Sequence, residues 1–564
     1  MQDKKLEDYS KEELISIIKS IKKQKKFGLV WEDKPEKVAT DCKEKLPVLN
    51  EDVSKAISKA PGQPTNIIIE GDNYHSLSAL NYTHAGKIDV IYIDPPYNTG
   101  EKAKDGGFIY NDNFVDKEDS FKHSKWLSFM RKRLELAKEL LSERGLIFIS
   151  IDDHEQHYLK LLCDDIFSGN FVSDISIIGT ANESNDGVMF QNNKESILVY
   201  AKDLTKAKIN RIDEVKQAPR SLSDAPTGLS TRLSMGYTIY YNPQTKDMVP
   251  KYDYDQSKVN TNDVAQIYKD DESLKNKGYI PVRAGFRNGV VWRWRWGIET
   301  FNQRKDEVSI RKNNNGKYVA EFIQKGFNPP RNVQSFPTGT LELRSVIGQN
   351  AFKSPKSIAL MEWVIRVAGN KQSIILDFFA GSGTTGHAVL DLNNRDGGTR
   401  KFIMCTNNEN GIIEDITYPR IYNVVNGYGK TAGIPANVRY FKTDFIEKEE
   451  TLDKLRRKLS PACEDMIRIR EGVFNKTIDK DLFKVFEENG QIVGVIYDRF
   501  ELEKYIDQIE ELETDKPVHL YVFSYDNSGR LDEVTKTTKH EYESQPIPEG
   551  VLEIYKKIFK DRRH

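Results

Sequence analysis

The first candidate site is the tetrapeptide Asp94-Pro95-Pro96-Tyr97, which puts a carboxylate and an aromatic ring beside two prolines. Proline fixes its own φ angle, so this backbone is stiff. The preceding β-branched run, Ile88–Ile93, predicts a buried strand, and Pro95 must end it because proline cannot donate to a strand ladder. Ligands of open α/β sheets bind at the carboxyl ends of strands, so we expect a site here. A plain strand-to-loop turn with a capping aspartate is the alternative.

The second candidate site is the run of residues 381–386, which has the spacing Gly-x-Gly-x-x-Gly. Such glycines let the backbone approach a ligand, and the start of a following helix favours polar or anionic groups. No lysine follows the last glycine, which excludes a P-loop. Asp377 would repel the pyrophosphate of a dinucleotide, but it could pair with the positively charged amino-acid moiety of S-adenosylmethionine. Glu409, predicted to end the next strand, could accept hydrogen bonds from ribose hydroxyls.

Both motifs resemble those of the amino-group DNA methyltransferases. Residues 94–100 resemble the catalytic motif of the N6-adenine branch, and residues 377–386 resemble the S-adenosylmethionine motif. The order of catalytic motif, intervening segment and cofactor motif is that of the β group. Further segments look like the Mod subunit of type III restriction-modification systems, namely residues 28–32, 66–100, 123–130 and 147–153. The resemblance covers about residues 28–203 and 345–422.

The resemblance implies a set of site residues. The catalytic set is Asp94, Pro95, Pro96 and Tyr97, and the cofactor-binding set is Asp377, Phe378, Ala380, Gly381, Gly383, Thr385, Glu409, Asp72, Phe352 and Lys353. Asp72 follows a predicted strand, where it either contacts the adenine of the cofactor or caps the next helix. Phe352 and Lys353 belong to a segment that resembles the one covering the methionine end of the cofactor, although Ser354 departs from the usual Lys-Pro spelling.

The resemblance also implies a reaction, the transfer of a methyl group from S-adenosylmethionine to the N6 amino group of adenine in double-stranded DNA. The base would be flipped out of the duplex, Asp94 and the Pro95 carbonyl would each accept one amino hydrogen, and Tyr97 would stack on the base. Type III Mod subunits are dimers that join a helicase-nuclease Res subunit, so a homodimer and a Res partner are expected. Three alternatives stay open: methylation of cytosine N4 or of RNA, DNA binding without catalysis, and a nicotinamide-dependent oxidoreductase.

Strands and helices alternate around both motifs, which predicts a parallel sheet. We predict an α/β fold with a permuted, Rossmann-like S-adenosylmethionine-dependent methyltransferase sheet. The predicted domains are an N-terminal helical arm and connector (1–60), a catalytic half (61–203), an inserted target-recognition domain (204–345), a cofactor-binding half (346–440) and a small carboxyl-terminal α/β accessory domain (441–564). Gly145 is expected to end the helix that contains Trp126, and Ser354 with Pro355 is expected to open another helix.

Charge is distributed unevenly, although the net charge of the 564 residues is only −1. Residues 275–331 carry 13 Lys and Arg against 4 Asp and Glu, and arginines alternate with tryptophans at 292–296. This combination suits contacts to the phosphates and base edges of DNA. The predicted DNA-binding residues are Arg283, Arg287, Arg293, Trp294 and Arg295. A β-rich domain whose arginines point outward while its tryptophans pack inward would give the same pattern, and both can hold at once.

The remaining composition predicts a soluble protein of the cytoplasm, and the resemblance implies a bacterial protein associated with the nucleoid. The N-terminus has no signal-peptide apolar segment, and no apolar run approaches the roughly 18 residues of a membrane span. The four scattered cysteines form no Cys-x-x-Cys pair, which favours reduced thiols over zinc ligands or disulfides. No metal site is expected, because His154 and His157 have no evident third ligand.

Overall fold

The computed structural model describes residues 10–11, 31–100, 108–111, 113–179, 193–214, 219–260, 264–287, 289–323, 327–348, 352, 354–525 and 537–559. The chain forms two compact units, of which the first comprises residues 1–210 and 331–564 and the second comprises residues 211–330. The second unit is therefore an insertion, narrower than the predicted target-recognition domain. Most of the predicted N-terminal arm lies outside the described residues.

The described strands and helices are numbered along the chain. The strands are β1 (Lys45–Glu51), β2 (Ile57–Ser58), β3 (Thr65–Glu70), β4 (Ile88–Ile93), β5 (Ile109–Tyr110), β6 (Asn113–Phe114), β7 (Leu141–Ile151), β8 (Phe171–Ile178), β9 (Lys194–Ala201), β10 (Asp213–Glu214), β11 (Arg220–Ser221), β12 (Thr238–Tyr241), β13 (Met248–Lys251), β14 (Ile280–Val282), β15 (Phe286–Arg287), β16 (Val290–Val291), β17 (Val308–Lys312), β18 (Tyr318–Phe322), β19 (Phe327–Asn328), β20 (Val333–Gln334), β21 (Ile374–Asp377), β22 (Lys401–Thr406), β23 (Asn437–Glu447), β24 (Lys476–Lys480), β25 (Phe483–Glu488), β26 (Gln491–Ile496), β27 (Val518–Phe523) and β28 (Tyr542–Ile547). The α-helices are α1 (Lys37–Asp41), α2 (Asn73–Thr83), α3 (Lys122–Leu140), α4 (Gln156–Ile166), α5 (Val264–Ile267), α6 (Glu272–Asn276), α7 (Ile298–Gln303), α8 (Thr340–Ile347), α9 (Ile358–Ala368), α10 (Thr384–Asp396), α11 (Tyr418–Asn426), α12 (Leu452–Ala462), α13 (Glu464–Glu471), α14 (Leu502–Glu510) and α15 (Glu549–Phe559). Among these described helices, none is long and apolar enough to cross a membrane.

The first unit is built on an eleven-stranded sheet with the order β1-β23-β3-β22-β21-β4-β7-β9-β8-β20, in which β2 also pairs with β23. The strands from β23 to β7 in this order run parallel. Ile88, Val90, Ile91 and Ile93 of β4 are each 0% exposed, so both faces of the strand are covered. Covered faces are what a parallel sheet requires, because its crossover helices lie on both sides. The predicted α/β fold is confirmed.

The two candidate sites follow neighbouring strands. β4 and β21 are parallel, with Val90 opposite Ile375. From β4 the chain runs through α3 to β7 on one side, and from β21 it runs through α10 to β22 on the other side. A reversal of this kind opens a crevice at the carboxyl ends of the two strands. We call residues 94–97 the aspartate loop and residues 377–386 the glycine loop, and both begin at this crevice.

Two predictions about the surroundings of the aspartate loop are wrong. Residues 45–51, expected in an irregular connector, form edge strand β1, which pairs antiparallel with β23. Helix α3 ends at Leu140, before Gly145, and Gly145 lies inside β7. A Cβ on Gly145 would come 2.8 Å from the carbonyl oxygen of Ile88, so this glycine permits close approach of two strands and does not end the helix.

The predicted start of helix α9 is also wrong by three residues. Ser357 is the N-cap, and its hydroxyl accepts a hydrogen bond from the backbone N–H of Leu360 at 3.3 Å. An N-cap residue has extended backbone, whereas Ser354 has a φ angle of 56°, in the left-handed region. The turn of chain between Ser354 and Ser357 carries Lys356, whose position becomes important at the site.

The carboxyl-terminal segment shares its core with the eleven-stranded sheet. Strands β24 to β28 form a separate five-stranded sheet, but α12, α13 and α15 contribute side chains to the same hydrophobic cluster as α2 and β4. Leu552 and Tyr555 of α15 are 4% and 2% exposed. The Tyr555 hydroxyl also donates a hydrogen bond to the carbonyl oxygen of Pro47 in β1. The predicted accessory domain is therefore part of the first compact unit.

The second unit consists mainly of small antiparallel sheets. Its two three-stranded sheets have the orders β13-β12-β14 and β11-β18-β17. Apolar residues of these strands pack with Trp294, Trp296 and Phe301 in one cluster. The tryptophans of the Arg-Trp alternation are therefore core residues of this unit.

Candidate active site

The aspartate loop is held by a buried tryptophan. Trp126 of α3 is 0% exposed, and its Nε1 donates to the carbonyl oxygen of Pro96 at 2.7 Å. The hydroxyl of Tyr97 donates back to Asp94 Oδ1 at 2.7 Å. Pro95 is buried, and within the described residues its carbonyl oxygen accepts no hydrogen bond. The loop thus presents a carboxylate, a ring and a carbonyl on backbone that is fixed at both prolines.

Asn98 anchors the end of the aspartate loop. Its φ angle is 55°, in the left-handed region that glycine and asparagine adopt most readily. Its Nδ2 donates to Glu155 Oε1 at 2.6 Å, and His123 Nδ1 lies 2.6 Å from the same oxygen. Glu155 is 0% exposed, and burial raises the pKa of its carboxyl. Because Asn98 follows Tyr97 directly, this contact sets where the loop turns away from the crevice.

A lysine that was not among the predicted site residues contacts the aspartate loop. Lys356 Nζ lies 3.4 Å from Asp94 Oδ1, 2.8 Å from the Tyr97 hydroxyl and 2.6 Å from Glu195 Oε2. Burial raises the pKa of Asp94, and the positive charge of Lys356 opposes that shift. Burial also lowers the pKa of Lys356, but the carboxylates of Asp94 and Glu195 more than offset burial, so this pKa is raised.

The predicted lysine of this segment was Lys353, which lies outside the described residues. Lys356 stands three positions later in the run Phe-Lys-Ser-Pro-Lys, so a lysine just before a predicted helix was the available signal. Glu195, at the start of β9, gave no local signal because only the pairing of distant strands brings it to Lys356.

The glycine loop adopts a backbone that side chains disfavour. Gly381 and Gly383 have φ angles of 48° and 74°, and α10 begins directly afterwards at Thr384. A Cβ on Gly381 would come 3.4 Å from the ring of Phe352, so that predicted ring lies against the loop. The loop therefore places partly buried Gly381 just before the start of a helix, where the helix N-terminus favours polar or anionic groups.

Asp377 is buried under the glycine loop. It is 3% exposed, its Oδ2 accepts a hydrogen bond from the Thr385 hydroxyl at 2.6 Å, and its Oδ1 accepts one from the Phe379 N–H at 3.1 Å. Burial raises the pKa of Asp377 to about 7, against the opposing effect of these two donors. Both donors are neutral, so no cation of the described chain balances the charge of Asp377.

A buried arginine braces the glycine loop from behind. Arg420 of α11 is 0% exposed, and its Nη1 donates to the Thr384 hydroxyl at 2.7 Å and to the Ser382 carbonyl at 3.2 Å. Burial lowers the pKa of Arg420 to about 10. This residue was not predicted, although Thr417, Arg420 and Val424 recur at helical spacing with other buried residues. An arginine within such a buried stripe indicates a specific buried partner.

The other predicted cofactor residues have varied surroundings. Phe378 is 0% exposed within the core, and Ala380 donates its N–H to the Cys405 carbonyl at 3.2 Å. Asp72 caps α2 by accepting from the Tyr74 N–H, and it also lies 3.2 Å from the guanidinium of buried Arg133. Glu409 is exposed, and it follows the end of β22 at Thr406 instead of ending that strand.

The residues predicted to bind DNA separate into buried and exposed groups. Trp294 and Arg293 are 1% and 6% exposed, and Arg293 Nη2 donates to the Thr227 hydroxyl at 3.0 Å. Arg283 is paired with the carboxylates of Asp253 and Asp270. Only Arg287 and Arg295, among the five predicted residues, are exposed. Burial and pairing leave Trp294, Arg293 and Arg283 poorly suited to contact a ligand at the surface.

Comparison with known proteins assigns the family. A DNA methylase family profile matches residues 88–417, more than half of the chain, and this span contains both loops. This chain belongs to the DNA methylase family. The predicted resemblance to the amino-group DNA methyltransferases is confirmed, and the matched span includes β4 and β21, from whose ends the two loops of this DNA methylase start.

Several relatives are similar over more than half of this DNA methylase. The type III restriction-modification enzyme EcoPI Mod subunit of Escherichia phage P1 is 32% identical over 61% of this chain and 58% of its own length. The StyLTI Mod subunit of Salmonella typhimurium is 33% identical over 60% of this chain and 52% of its own length. The type II methyltransferase M.KpnI of Klebsiella pneumoniae is 32% identical over 64% of this chain and 84% of its own length. The chain thus spans little more than half the length of the two Mod subunits.

Proposed function

We propose that this chain is a site-specific DNA methyltransferase that transfers a methyl group from S-adenosylmethionine to the N6 amino group of adenine in duplex DNA. The observation that carries the proposal is the placement of the aspartate loop and the glycine loop at the ends of adjacent parallel strands. Family membership and the similarity to proteins named as Mod subunits and as a type II methyltransferase support the same reaction. An aspartate at position 94, where the cytosine branch has serine, favours adenine by family resemblance.

The glycine loop fits the cofactor. Both glycines have positive φ angles, and the absence of a side chain at partly buried Gly381 leaves its backbone beside the Phe352 ring. When bound, S-adenosylmethionine supplies an electrophilic methyl group on a sulfonium centre. Asp377 is the carboxylate available to the positively charged amino-acid moiety, and it must be ionised to act there. The loop braced by Arg420 keeps this geometry before the cofactor arrives.

The aspartate loop fits the target base. An adenine amino nitrogen is a poor nucleophile because its lone pair is delocalised into the ring. Asp94 and the Pro95 carbonyl each accept one amino hydrogen, which localises the lone pair and orients it toward the methyl group. Preorganised acceptors of this kind act by orientation and by stabilising the charge that develops on nitrogen. Rigid prolines and the Trp126 contact to Pro96 supply that preorganisation.

Tyr97 provides a surface for the base outside the duplex. Extruding a paired base costs a few kcal/mol, and stacking on an aromatic ring returns roughly 1–3 kcal/mol. Lys356 Nζ lies 2.8 Å from the Tyr97 hydroxyl and 5.3 Å from the centroid of its ring. Tyr97 is only partly buried, so part of its side chain is accessible to a base.

The decisive experiment identifies the methylated nucleoside. Purified protein is incubated with mixed-sequence duplex DNA and S-adenosylmethionine, and the DNA is digested and resolved by mass spectrometry. N6-methyldeoxyadenosine is expected, and its sequence context follows from single-molecule sequencing of the product. N4-methyldeoxycytidine, or a methylated nucleoside only in an RNA substrate, would replace the proposal with that alternative. Calorimetry with S-adenosylmethionine and with a nicotinamide dinucleotide separates a methyltransferase from an oxidoreductase, and a protein that binds DNA without methylating it would be a non-catalytic module.

The Mod-like relatives extend the proposal to partners. We infer a homodimer that joins a helicase-nuclease Res subunit, because several of the relatives are named as type III Mod subunits. Light scattering of the purified chain measures the first expectation. Co-expression with the neighbouring reading frames, followed by affinity capture of the chain, measures the second. A monomer that captures no helicase would contradict both partner assignments while leaving the methyl transfer untouched.

A further inference from the structure

The two oxygens of the Asp94 carboxylate are in different surroundings. Oδ1 accepts a hydrogen bond from Tyr97 at 2.7 Å and lies 3.4 Å from Lys356 Nζ. Within the described part of the chain, the hydrogen bonds and ion pairs of Asp94 all fall on Oδ1. The side chain remains 30% exposed. A ligand in the crevice therefore meets Oδ2.

Lys356 is held between two carboxylates. Its side chain is 16% exposed, that of Glu195 is 44% exposed, and the Lys356–Glu195 contact, at 2.6 Å, is shorter than the Lys356–Asp94 contact at 3.4 Å. Glu195 comes from β9, Asp94 follows β4, and Lys356 precedes α9. Three separate elements thus converge on one ammonium group, which indicates a position fixed by the fold.

We propose that Lys356 and Glu195 form a charge clamp, a pair of positioning residues that fixes Asp94 Oδ1 and leaves ionised Oδ2 to receive the amino group of the target base. The inference rests on the proposed methyl transfer and adds two residues to it. Lys356 acts through Asp94 and Tyr97, because its ammonium contacts the Tyr97 hydroxyl at 2.8 Å and Asp94 Oδ1 at 3.4 Å.

The clamp needs both members for an electrostatic reason. In the transfer, a bond forms between the amino nitrogen and the methyl carbon as the carbon–sulfur bond breaks, with its electron pair remaining on sulfur. The nitrogen becomes positive until it loses one proton, which Oδ2 can take and pass to solvent. Lys356 alone would cancel the charge of Asp94. With Glu195 included, the group of three carries one net negative charge, which stabilises a positive nitrogen in a partly buried site.

The charged and titratable groups around Asp94 come from five elements. They are Tyr92 of β4, Tyr97 of the aspartate loop, Lys356 before α9, Glu195 of β9 and Asp377 of β21. The two tyrosines have pKa values raised by burial, so they stay neutral through the working range. Asp377, with a pKa of about 7, would add a second ionisation to the pH profile of methylation.

The test measures single-turnover methylation against pH at saturating cofactor for Lys356→Met, Lys356→Arg and Glu195→Gln. Loss of Lys356 removes a cation beside Asp94, so the acidic limb of the profile should move to higher pH and the maximal rate should fall about 10- to 100-fold. Glu195→Gln removes a neighbouring negative charge, so its limb should move to lower pH while the maximal rate falls several-fold. Lys356→Arg should keep the limb near its original pH because the charge is retained.

A merely structural role would not move the acidic limb in opposite directions for Lys356→Met and Glu195→Gln. The profiles are repeated with Asp377→Asn as a background to remove the other carboxyl that titrates near neutral pH. Lys160→Met is the matched control, because Lys160 forms a Lys–carboxylate contact of the same 2.6 Å with Asp164 on α4, away from the crevice. Its profile should match that of the unmodified protein.

The outcomes distinguish the clamp from the function on which it rests. If the unmodified protein methylates no DNA, the proposed function fails. If it does methylate DNA and Glu195→Gln leaves both rate and limb unchanged, the clamp is overturned. Glu195 is the most exposed member, so this variant decides the matter even where Lys356→Met does not fold. Limbs that move in the same direction for both variants would also overturn it.

Discussion

The aspartate loop and the glycine loop begin at adjacent strand ends, yet the carboxylates of Asp94 and Asp377 have different surroundings. Asp94 keeps 30% exposure and has a lysine 3.4 Å away. Asp377 is 3% exposed, and among the described residues its hydrogen-bond donors are a hydroxyl and a backbone N–H. Burial raises the pKa of both, but a cation opposes the shift at Asp94 alone. The fold therefore places a cation of its own beside Asp94 and, among the described residues, none beside Asp377.

The largest effect that follows from this contrast is at the aspartate loop. Asp94→Ala should reduce methyl transfer by at least about 10³-fold, because it removes both the acceptor for the amino group and the local negative charge. Cofactor affinity should change by less than about threefold, since Asp94 does not touch the glycine loop. Rapid-quench methylation and calorimetry measure the two quantities. Turnover like that of the unmodified protein would remove the distinction between the loops.

Substitution of Asn98, which has a left-handed backbone and follows the aspartate loop, should have the next largest effect. Asn98→Ala loses the Glu155 contact and places a disfavoured φ angle on alanine, so the methylation rate should fall about 10- to 100-fold. Asn98→Gly loses the contact but keeps the backbone conformation, so it should be less impaired than Asn98→Ala. Equal rates for the two variants would mean that backbone strain at this position is irrelevant. Calorimetry with cofactor provides the control that the glycine loop is intact.

At the glycine loop, removal of the Asp377 charge should weaken cofactor binding but stabilise the folded chain. Asp377→Asn should weaken S-adenosylmethionine binding about tenfold or more, because a charge-assisted contact to the cofactor is lost. The same change should raise the melting temperature by a few degrees at pH 8, because a buried carboxylate without a cation no longer has to ionise. The gain should shrink toward pH 5, where Asp377 is protonated in the folded chain, and disappear only below about pH 4, where the carboxyl is protonated in the unfolded chain as well. Thermal melts at the two pH values test this, and a loss of stability at both would indicate a purely structural carboxylate.

Cofactor affinity should itself depend on pH through Asp377. The pKa of this group is raised by burial to about 7, and only the ionised form pairs with a positive amino group. Affinity should therefore rise as pH increases from 6 to 8, by up to about tenfold per pH unit below the pKa, and then level off. Calorimetry across this range checks the direction. Asp377→Asn should give a flat profile, and a slope that survives this substitution would assign the dependence to another group.

The smallest effect concerns the second unit, outside both loops. Arg295→Ala and Arg287→Ala should each weaken DNA binding a few-fold and lower its salt dependence, because the two side chains are exposed. Arg283→Ala should instead lower the melting temperature, because it leaves Asp253 and Asp270 without their partner. Fluorescence anisotropy with labelled duplex DNA at two salt concentrations measures the first effect. The reverse ranking would place the DNA contact at Arg283.

Local patterns were enough to predict the two loops. The run from Ile88 to Ile93 and the proline that ends it specify a strand and a turn without reference to distant residues. The same is true of the glycine spacing after Asp377. These features depend on backbone rules that act over a few residues, and the positions of both loops were therefore predictable.

The residues that were missed depend on contacts between distant parts of the chain. Glu195 reaches Lys356 only because β9 joins the sheet beside β7, and Glu155 reaches Asn98 only because α4 packs on α3. In the second unit the alternation of Arg and Trp indicated an exposed, basic strip, but packing placed Arg293 inside with Trp294. A one-dimensional pattern cannot tell which arginine in such a run has a buried partner.

The pairing of Val90 with Ile375 has a consequence for how the protein is made. A ribosome releases the aspartate loop long before the strand that completes its crevice, so no partial product can hold both a base and a methyl donor. Helix α15 must also emerge before Tyr555 can reach Pro47 on edge strand β1. Competence for methylation should thus appear only after the glycine loop has left the ribosome.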